Sequence, residues 1–112
     1  MRELKFKGET KDNKTVYGYY VQAKGHYYII EPNGTVYFVK PETVKEYTGL
    51  KDSEGEEIYT DTKYWDEYEE EVCTITFWEG KFCAEYDNYI VELEEVSDNL
   101  VEYIEAEAEA ED

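Results

Sequence analysis

The strongest constraint on the fold is a set of short β-branched and aromatic runs, each closed by a turn signal. Three of them read TVYGYYVQ at 15–22, HYYIIE at 26–31 and TVYFV at 35–39, and all three are rich in residues that favour strands. Ala23-Lys24-Gly25 separates the first two runs and Pro32-Asn33-Gly34 the last two, and in both the glycine supplies the positive φ that tight turns need. Because connections this short join antiparallel neighbours, the pattern predicts a three-stranded meander.

A second hairpin signal lies in VCTITFWEGKFCAEY, at 72–86. A two-residue turn at Glu79-Gly80 fixes the register and predicts one core face and one mixed face. In this register Cys73 and Cys83 point to opposite faces, so a disulfide between them is not expected. We predict two free thiols, of which the outward-facing Cys83 reacts first. The predicted core face consists of Cys73, Ile75, Phe77, Phe82, Ala84 and Tyr86.

The remaining segments predict shorter elements. Leu4–Lys7 alternates apolar and basic residues, as in a short edge strand. Ser97 is a good N-cap for a helix whose apolar side would contain Leu100, Val101 and Ile104. The other expected elements are a helical turn at 42–47 that ends at Gly49, a turn at 53–55, a strand from Ile58, an acidic loop at 66–71 and a last strand at 89–96.

These elements predict a mainly β fold. We expect a small antiparallel β-barrel or sheet domain with a three-stranded meander, a later hairpin and one C-terminal helix. The chain of 112 residues is the size of one domain, which we place at residues 1–104. The segment 105–112 is an acidic, low-complexity tail that is expected to fray.

The charge of the chain is strongly divided. Residues 1–50 contain eight lysine and arginine residues against six acids, whereas residues 51–112 contain three lysines against 23 acids, for a net charge of −18. Such a field repels phosphate, so direct binding to nucleic acid is not expected. The acidity either keeps the protein soluble or presents it to a basic surface.

Several function classes are not supported by the sequence. No apolar run approaches the roughly 20 residues of a membrane span, and MRELKFKGET lacks the apolar region of a signal peptide, so we expect a cytoplasmic protein. A single histidine, His26, and two separated cysteines argue against zinc. No phosphate-binding glycine motif or activated nucleophile is present, so we expect neither an enzyme nor a cofactor. A divalent cation could bind among Asp66, Glu67, Glu69 and Glu70, although no calcium-loop pattern is present.

Aromatic residues beside acids are the best candidates for a partner-binding surface. Such a surface can dock where a protein normally stacks bases and grips phosphates with arginine and lysine. The candidate residues are Tyr64, Trp65, Asp66, Glu67, Tyr68, Glu69, Glu70, Glu71 and Trp78. The tyrosines of the meander have two interpretations, either as the filling and rim of a small sheet or as a pocket or interface. They are Tyr17, Tyr19, Tyr27 and Tyr37.

Several blocks resemble the YopX family of phage and prophage proteins. They are the opening MRELKFKG, the VYGYYV strand, YYIIEPNGTVYFVKPETV and EYTGLKDSEGEEIY, which together cover about residues 1–60. After Ile58-Tyr59 this chain has Thr60-Asp61 where the family has Gly-Asp. The resemblance implies a phage-derived, mainly β accessory protein in a bacterial host, and it implies no catalytic residues.

Two hypotheses from different classes follow. In the first, the protein inhibits a basic nucleic-acid-binding host protein, such as a CRISPR effector or a restriction enzyme, by presenting a DNA-mimicking acidic surface. In the second, it is a non-catalytic binding module that recognises a protein or a small signalling molecule through its tyrosine-rich sheet. The distribution of acids over the surface discriminates between them.

Overall fold

A computed structural model describes residues 5–104, and their contacts divide them into two compact units. The first unit ends at Tyr47 and the second begins at Thr48. The fold is mainly β, with two antiparallel sheets, as the sequence predicts. Both sheets are open rather than closed into a barrel. The single domain over residues 1–104 stays a prediction, and the tail at 105–112 lies outside the described residues.

The first sheet contains β1 (Phe6–Glu9), β2 (Thr15–Ala23), β3 (His26–Ile30), β4 (Val36–Phe38), β5 (Lys45–Lys51) and β6 (Glu57–Tyr59). Their order across the sheet is β4-β3-β2-β1-β5-β6.

The predicted meander is confirmed as β2, β3 and β4. Alternate residues of these strands point to opposite faces, and Val16, Ile29 and Val39 form the buried core of the first unit. The strands β2 and β3 approach each other closely at Gly18, where a Cβ atom would lie only 2.1 Å from the carbonyl oxygen of Ile30. No residue with a side chain fits at this position without moving the backbone.

The second sheet lies wholly in the second unit and has the order β10-β9-β8-β7-β11. Its inner face packs against a short helix and forms the larger core, which includes Ile58, Ile75, Leu93 and Leu100. The elements are β7 (Lys63–Asp66), β8 (Glu71–Trp78), β9 (Lys81–Glu85), β10 (Ile90–Glu92), α1 (Leu93–Val96) and β11 (Leu100–Glu102).

The predicted hairpin at 72–86 is confirmed in its register. Ile75 pairs with Ala84, and the turn is at Glu79-Gly80, where both residues have positive φ. The core face ends earlier than predicted, because Phe77 near the tip of the hairpin is exposed.

The C-terminal part contains the predicted strand and one short helix, but their bounds differ from the prediction. The strand expected at 89–96 ends at Glu92, and α1 follows, because Leu93 is fully buried in the core. In place of a helix after Ser97, a 3-10 turn leads into β11, which pairs with β7. Local capping signals favoured a helix, but a buried Leu100 on a new strand covers apolar surface at the edge of the sheet.

Two further predictions in the first 50 residues need correction. The predicted edge strand is an interior strand, because Phe6 pairs with Gly18 on one side and with Glu46 on the other. The helical turn expected at 42–47 is limited to a 3-10 turn at Pro41–Thr43, and β5 replaces the rest. Pairing with β1 draws this segment into the sheet. Within residues 5–104, no helix has the length and apolar character needed to cross a bilayer.

Candidate functional site

The candidate acidic surface is built on the connection between β7 and β8. Asp66 and Glu71 pair at the ends of the strands, and the four residues between them form the turn. The Asp66 Oδ1 atom accepts hydrogen bonds from the backbone N–H groups of Tyr68 and Glu69, each at 2.9 Å. Its main-chain oxygen accepts a third from Glu70 at 2.8 Å. This arrangement fixes the backbone that carries the neighbouring carboxylates.

Asp66 itself is not part of the exposed surface, contrary to the prediction. Its exposed fraction is 0%, and its Oδ2 atom accepts a hydrogen bond from the hydroxyl of Tyr86 at 2.5 Å. A buried carboxylate is tolerated here because both of its oxygen atoms accept hydrogen bonds. Burial, together with the hydrogen bond to Asp66, raises the pKa of Tyr86 above its ordinary value. Asp66 therefore holds the fold rather than a partner.

The other acids of this connection are accessible to a partner. Glu67, Glu69 and Glu70 are exposed, and Tyr68 between them is 78% exposed. Glu71 is half-buried, and its Oε2 atom accepts a hydrogen bond from the hydroxyl of Tyr89 at 3.2 Å. The turn thus presents three carboxylates and one aromatic ring on a fixed backbone.

The structure separates the two predicted aromatic residues on β7. Tyr64 belongs to the buried core, where burial raises its pKa to about 12, so its place in the contact surface is a wrong prediction. It points inward because neighbouring residues of a strand alternate between faces. Trp65 lies on the opposite face, half-buried and paired with Val72.

An open groove of about 620 Å³ crosses the outer face of the second sheet. Trp65 lines it, and Lys63, Thr74 and Glu85 lie side by side across β7, β8 and β9. The charged residues of the groove are Lys63, Glu70, Glu71, Glu85 and Asp87. An indole beside several carboxylates is the environment that a guanidinium or ammonium group prefers.

Trp78 lies at the other end of this face. It is exposed and pairs with Lys81 at the tip of the hairpin. The ammonium group of Lys81 lies 2.5 Å from Glu92, so this corner contains an ion pair rather than a cluster of like charge.

Most acids of the second unit are exposed. Of the 18 acids at positions 48–104, Asp52 and Asp66 are buried, two are half-buried and 14 are exposed. The exposed acids are Glu54, Glu56, Asp61, Glu67, Glu69, Glu70, Glu79, Glu85, Asp87, Glu92, Glu94, Glu95, Asp98 and Glu102. Three lysines share this stretch, so its surface is strongly negative.

Residues 5–104 contain neither a metal-binding cluster nor an exposed thiol. Over residues 5–104, no group of three or more histidine, cysteine, aspartate or glutamate side chains could hold a metal ion. Cys73 and Cys83 are free thiols, and both are buried. Burial raises the pKa of Cys73 to about 11 and also raises that of Cys83. The expectation that Cys83 lies open on the outer face is wrong, and its faster reaction stays a prediction.

The first unit has a second candidate surface that sequence reasoning divided between two interpretations. Tyr27 and Tyr37 pack against the core, whereas Tyr17 and Tyr19 are exposed on the opposite face. The register shows the difference, because the residues that point away from the core align in two rows across the meander. One row is Tyr19, Ile30 and Val36, and the other is Val21, Tyr28 and Phe38. We call these six residues, with Tyr17 and His26, the apolar face.

The apolar face is ordered by contacts between its own rings. The rings of Tyr28 and Phe38 lie 4.9 Å apart, and the ring of His26 meets Phe38 edge-on at 5.7 Å. Alternation of aromatic and β-branched residues in the sequence was the signal for this face, but it does not say which side is covered.

No known family matches the chain, and no curated protein is significantly similar to it. The resemblance to the YopX family therefore stays an expectation.

Proposed function

We propose that the protein inhibits a basic nucleic-acid-binding protein of its host by occupying that protein's nucleic-acid channel with the acidic surface of the second unit. A CRISPR effector or a restriction enzyme has such a channel, lined by lysine and arginine. The single observation that carries the proposal is the exposure of 14 carboxylates on a unit with three lysines.

The size of this charge argues for a use beyond solubility. Self-repulsion destabilises a compact state, and a small domain is soluble with a net charge of magnitude about 2–8. The chain exceeds that range at −18. A partner that normally binds DNA would gain from the carboxylates as it gains from phosphates, through attraction and release of counterions.

The local geometry supports the same function. Asp66 holds the turn in place, so the backbone that carries Glu67, Glu69 and Glu70 needs little ordering when a partner binds. The groove beside them offers Trp65 as a ring on which an arginine of the partner can stack. The expected phage origin and cytoplasmic location in a bacterial host are consistent with this role.

Capture from a bacterial lysate tests the proposal. Three proteins are immobilised: the wild type, a second-unit variant (Glu67→Gln, Glu69→Gln and Glu70→Gln) and a first-unit control (Asp12→Asn, Glu31→Gln and Glu42→Gln). Both variants change the net charge from −18 to −15, so they differ only in where charge is removed. We expect the wild type and the control to retain a nucleic-acid enzyme that the second-unit variant retains poorly.

Competition with DNA then decides whether the captured protein is held through its nucleic-acid channel. Duplex DNA should displace it from the immobilised protein, and the free protein should inhibit its cleavage of DNA. Simultaneous binding of DNA and this protein would contradict the proposal, as would equal capture by both variants.

The alternative function, a non-catalytic binding module, has one observation in its favour. Tyr17 and Tyr19 point outward on a face that also exposes Phe38, and tyrosine-rich exposed surfaces are typical of protein interfaces. Capture that depends on Tyr19 and is insensitive to the acidic turn would favour this alternative.

A further inference from the structure

The apolar face of the first unit includes five large apolar residues that are exposed, namely Tyr17, Tyr19, Val21, Val36 and Phe38. Its two rows join three adjacent strands, so the apolar side chains form one continuous patch. Patches of this kind on soluble proteins mark interaction sites. The side chains stand at the regular spacing of a sheet, about 4.8 Å between strands and 6.7 Å along them. Such a surface suits a second sheet packed face to face.

We infer that a second copy of this chain covers the apolar face, which makes the protein a symmetric dimer through its first unit. This inference is independent of the proposed function, because it uses a different unit and a different force. A two-fold contact places the same patch of both copies together, as in most protein dimers.

The distribution of charge favours a second copy and favours this unit. In a dimer formed through the second units, two units with a net charge of −20 each would meet. The first units have a net charge of only +2 each. A chain of net charge −18 can therefore associate with itself most readily through its nearly neutral unit. Positive charge borders this face, since Lys7 of β1 pairs with Tyr17 on one side and with Lys45 of β5 on the other.

The exposed area of the face approaches what a dimer interface needs. Tyr17, Tyr19 and Phe38 are exposed by 45%, 59% and 64%. At roughly 150–250 Å² for a whole aromatic side chain, these rings contribute roughly 300 Å² per copy, or roughly 600 Å² in a pair. The remaining residues of the face bring the total close to the roughly 1,000 Å² that a specific interface needs.

Sedimentation equilibrium of the purified protein in 50 and 500 mM NaCl tests the inference. Because salt screens the repulsion between two highly acidic chains, we expect the association constant to rise about tenfold with salt. A Tyr19→Thr, Phe38→Thr variant keeps residues that suit strands, and its association should be about a hundredfold weaker. Tyr68→Thr, an exposed residue of the second unit, is the matched control and should associate as the wild type does.

Three outcomes of the sedimentation experiment would overturn the inference. They are a monomer at all concentrations in high salt, association that weakens with salt, and equal effects of the Tyr68 control and the double variant.

Hydrogen exchange on the wild type gives a test that needs no variant. Dilution should reduce the protection of the backbone amide hydrogens of residues 15–38 and leave that of β8 and β9 unchanged. Protection that does not depend on protein concentration would also contradict the dimer. Capture of a lysate protein on this face by a monomeric chain would assign the surface to another partner.

Discussion

The first unit contains eight lysine and arginine residues against six acids, whereas the second contains three lysines against 23 acids. Their exposed apolar residues differ in arrangement rather than in number. In the first unit they lie together on one face of the meander. In the second they are scattered over a turn, a hairpin tip and a loop, as Tyr68, Trp78 and Tyr89 show.

This contrast shows that the two units are suited to association through different interactions. An acidic surface attracts basic partners over a distance, and salt weakens that attraction. A continuous apolar face on a nearly neutral unit associates by burial, and salt assists it by screening the charge of the rest of the chain. A change in one unit should therefore leave the behaviour of the other unchanged.

The largest expected effect lies in the first unit, where the backbone of β2 and β3 is most tightly packed. Gly18→Ala places a methyl group 2.1 Å from the Ile30 carbonyl oxygen, so we expect a loss of stability of about 3 kcal/mol or more. Chemical denaturation measures this loss. Gly25→Ala is a control in which the added Cβ meets nothing, so only the cost of positive φ, about 1 kcal/mol, should appear. Equal losses at both glycines would contradict the close approach.

The next effect separates structural from surface acids in the second unit. Asp66→Ala removes the acceptor for two backbone N–H groups and leaves the Tyr86 hydroxyl buried without its partner. We expect a loss of about 3 kcal/mol in the free energy of unfolding. Glu67→Ala in the same turn should change it by less than about 0.5 kcal/mol. If both changes cost the same, Asp66 is an ordinary surface acid.

Alkaline pH should destabilise the second unit through its buried thiol and phenol. The folded-state pKa values of Cys73 and Tyr64 are raised to about 11 and about 12, from ordinary values near 9 and 10. Well below pH 9 both groups are protonated in both states, so their titration does not change stability there. Between pH 9 and 12 the unfolded chain releases protons first, and stability falls, by on the order of 2 kcal/mol from Cys73 alone. Denaturation at pH 8, 10 and 11 measures the decline, and constant stability over this range would contradict it.

The smallest effect concerns the exposed acids themselves. Glu69→Gln removes one charge from a crowded acidic surface, so it should raise stability by a few tenths of a kcal/mol at low salt. Asp12→Asn in the nearly neutral first unit should give no such gain. Thermal unfolding in 20 mM and 500 mM NaCl separates the two variants, and a gain that persists in high salt would exclude relief of repulsion as its cause.

Sequence reasoning was most successful where structure depends on near neighbours. The meander and the hairpin follow from alternation and from turns such as Glu79-Gly80, which involve a few adjacent residues. The position of β1 inside the sheet and the formation of β11 depend on distant partners, Glu46 for Phe6 and Asp66 for Leu100. Local patterns contain no information about such pairings.

The same distinction applies to the candidate site. The exposed acids of the turn could be predicted because a run of charged residues between strands is usually solvated. The burial of Asp66 could not, since its partner Tyr86 lies 20 residues away in sequence. Nor could alternation alone show which side of the meander is covered by core and which exposes Tyr19.

The salt dependence of partner affinity tests the central claim most directly. The protein captured from the lysate is titrated with the wild type, the second-unit variant and the first-unit control between 50 and 200 mM salt. We predict that wild-type affinity falls about tenfold or more over this range, with the same slope for the first-unit control. The second-unit variant should bind more weakly at 50 mM salt and show a shallower slope. Equal slopes for the two variants, or an affinity independent of salt, would contradict the claim that the acidic surface of the second unit binds the partner.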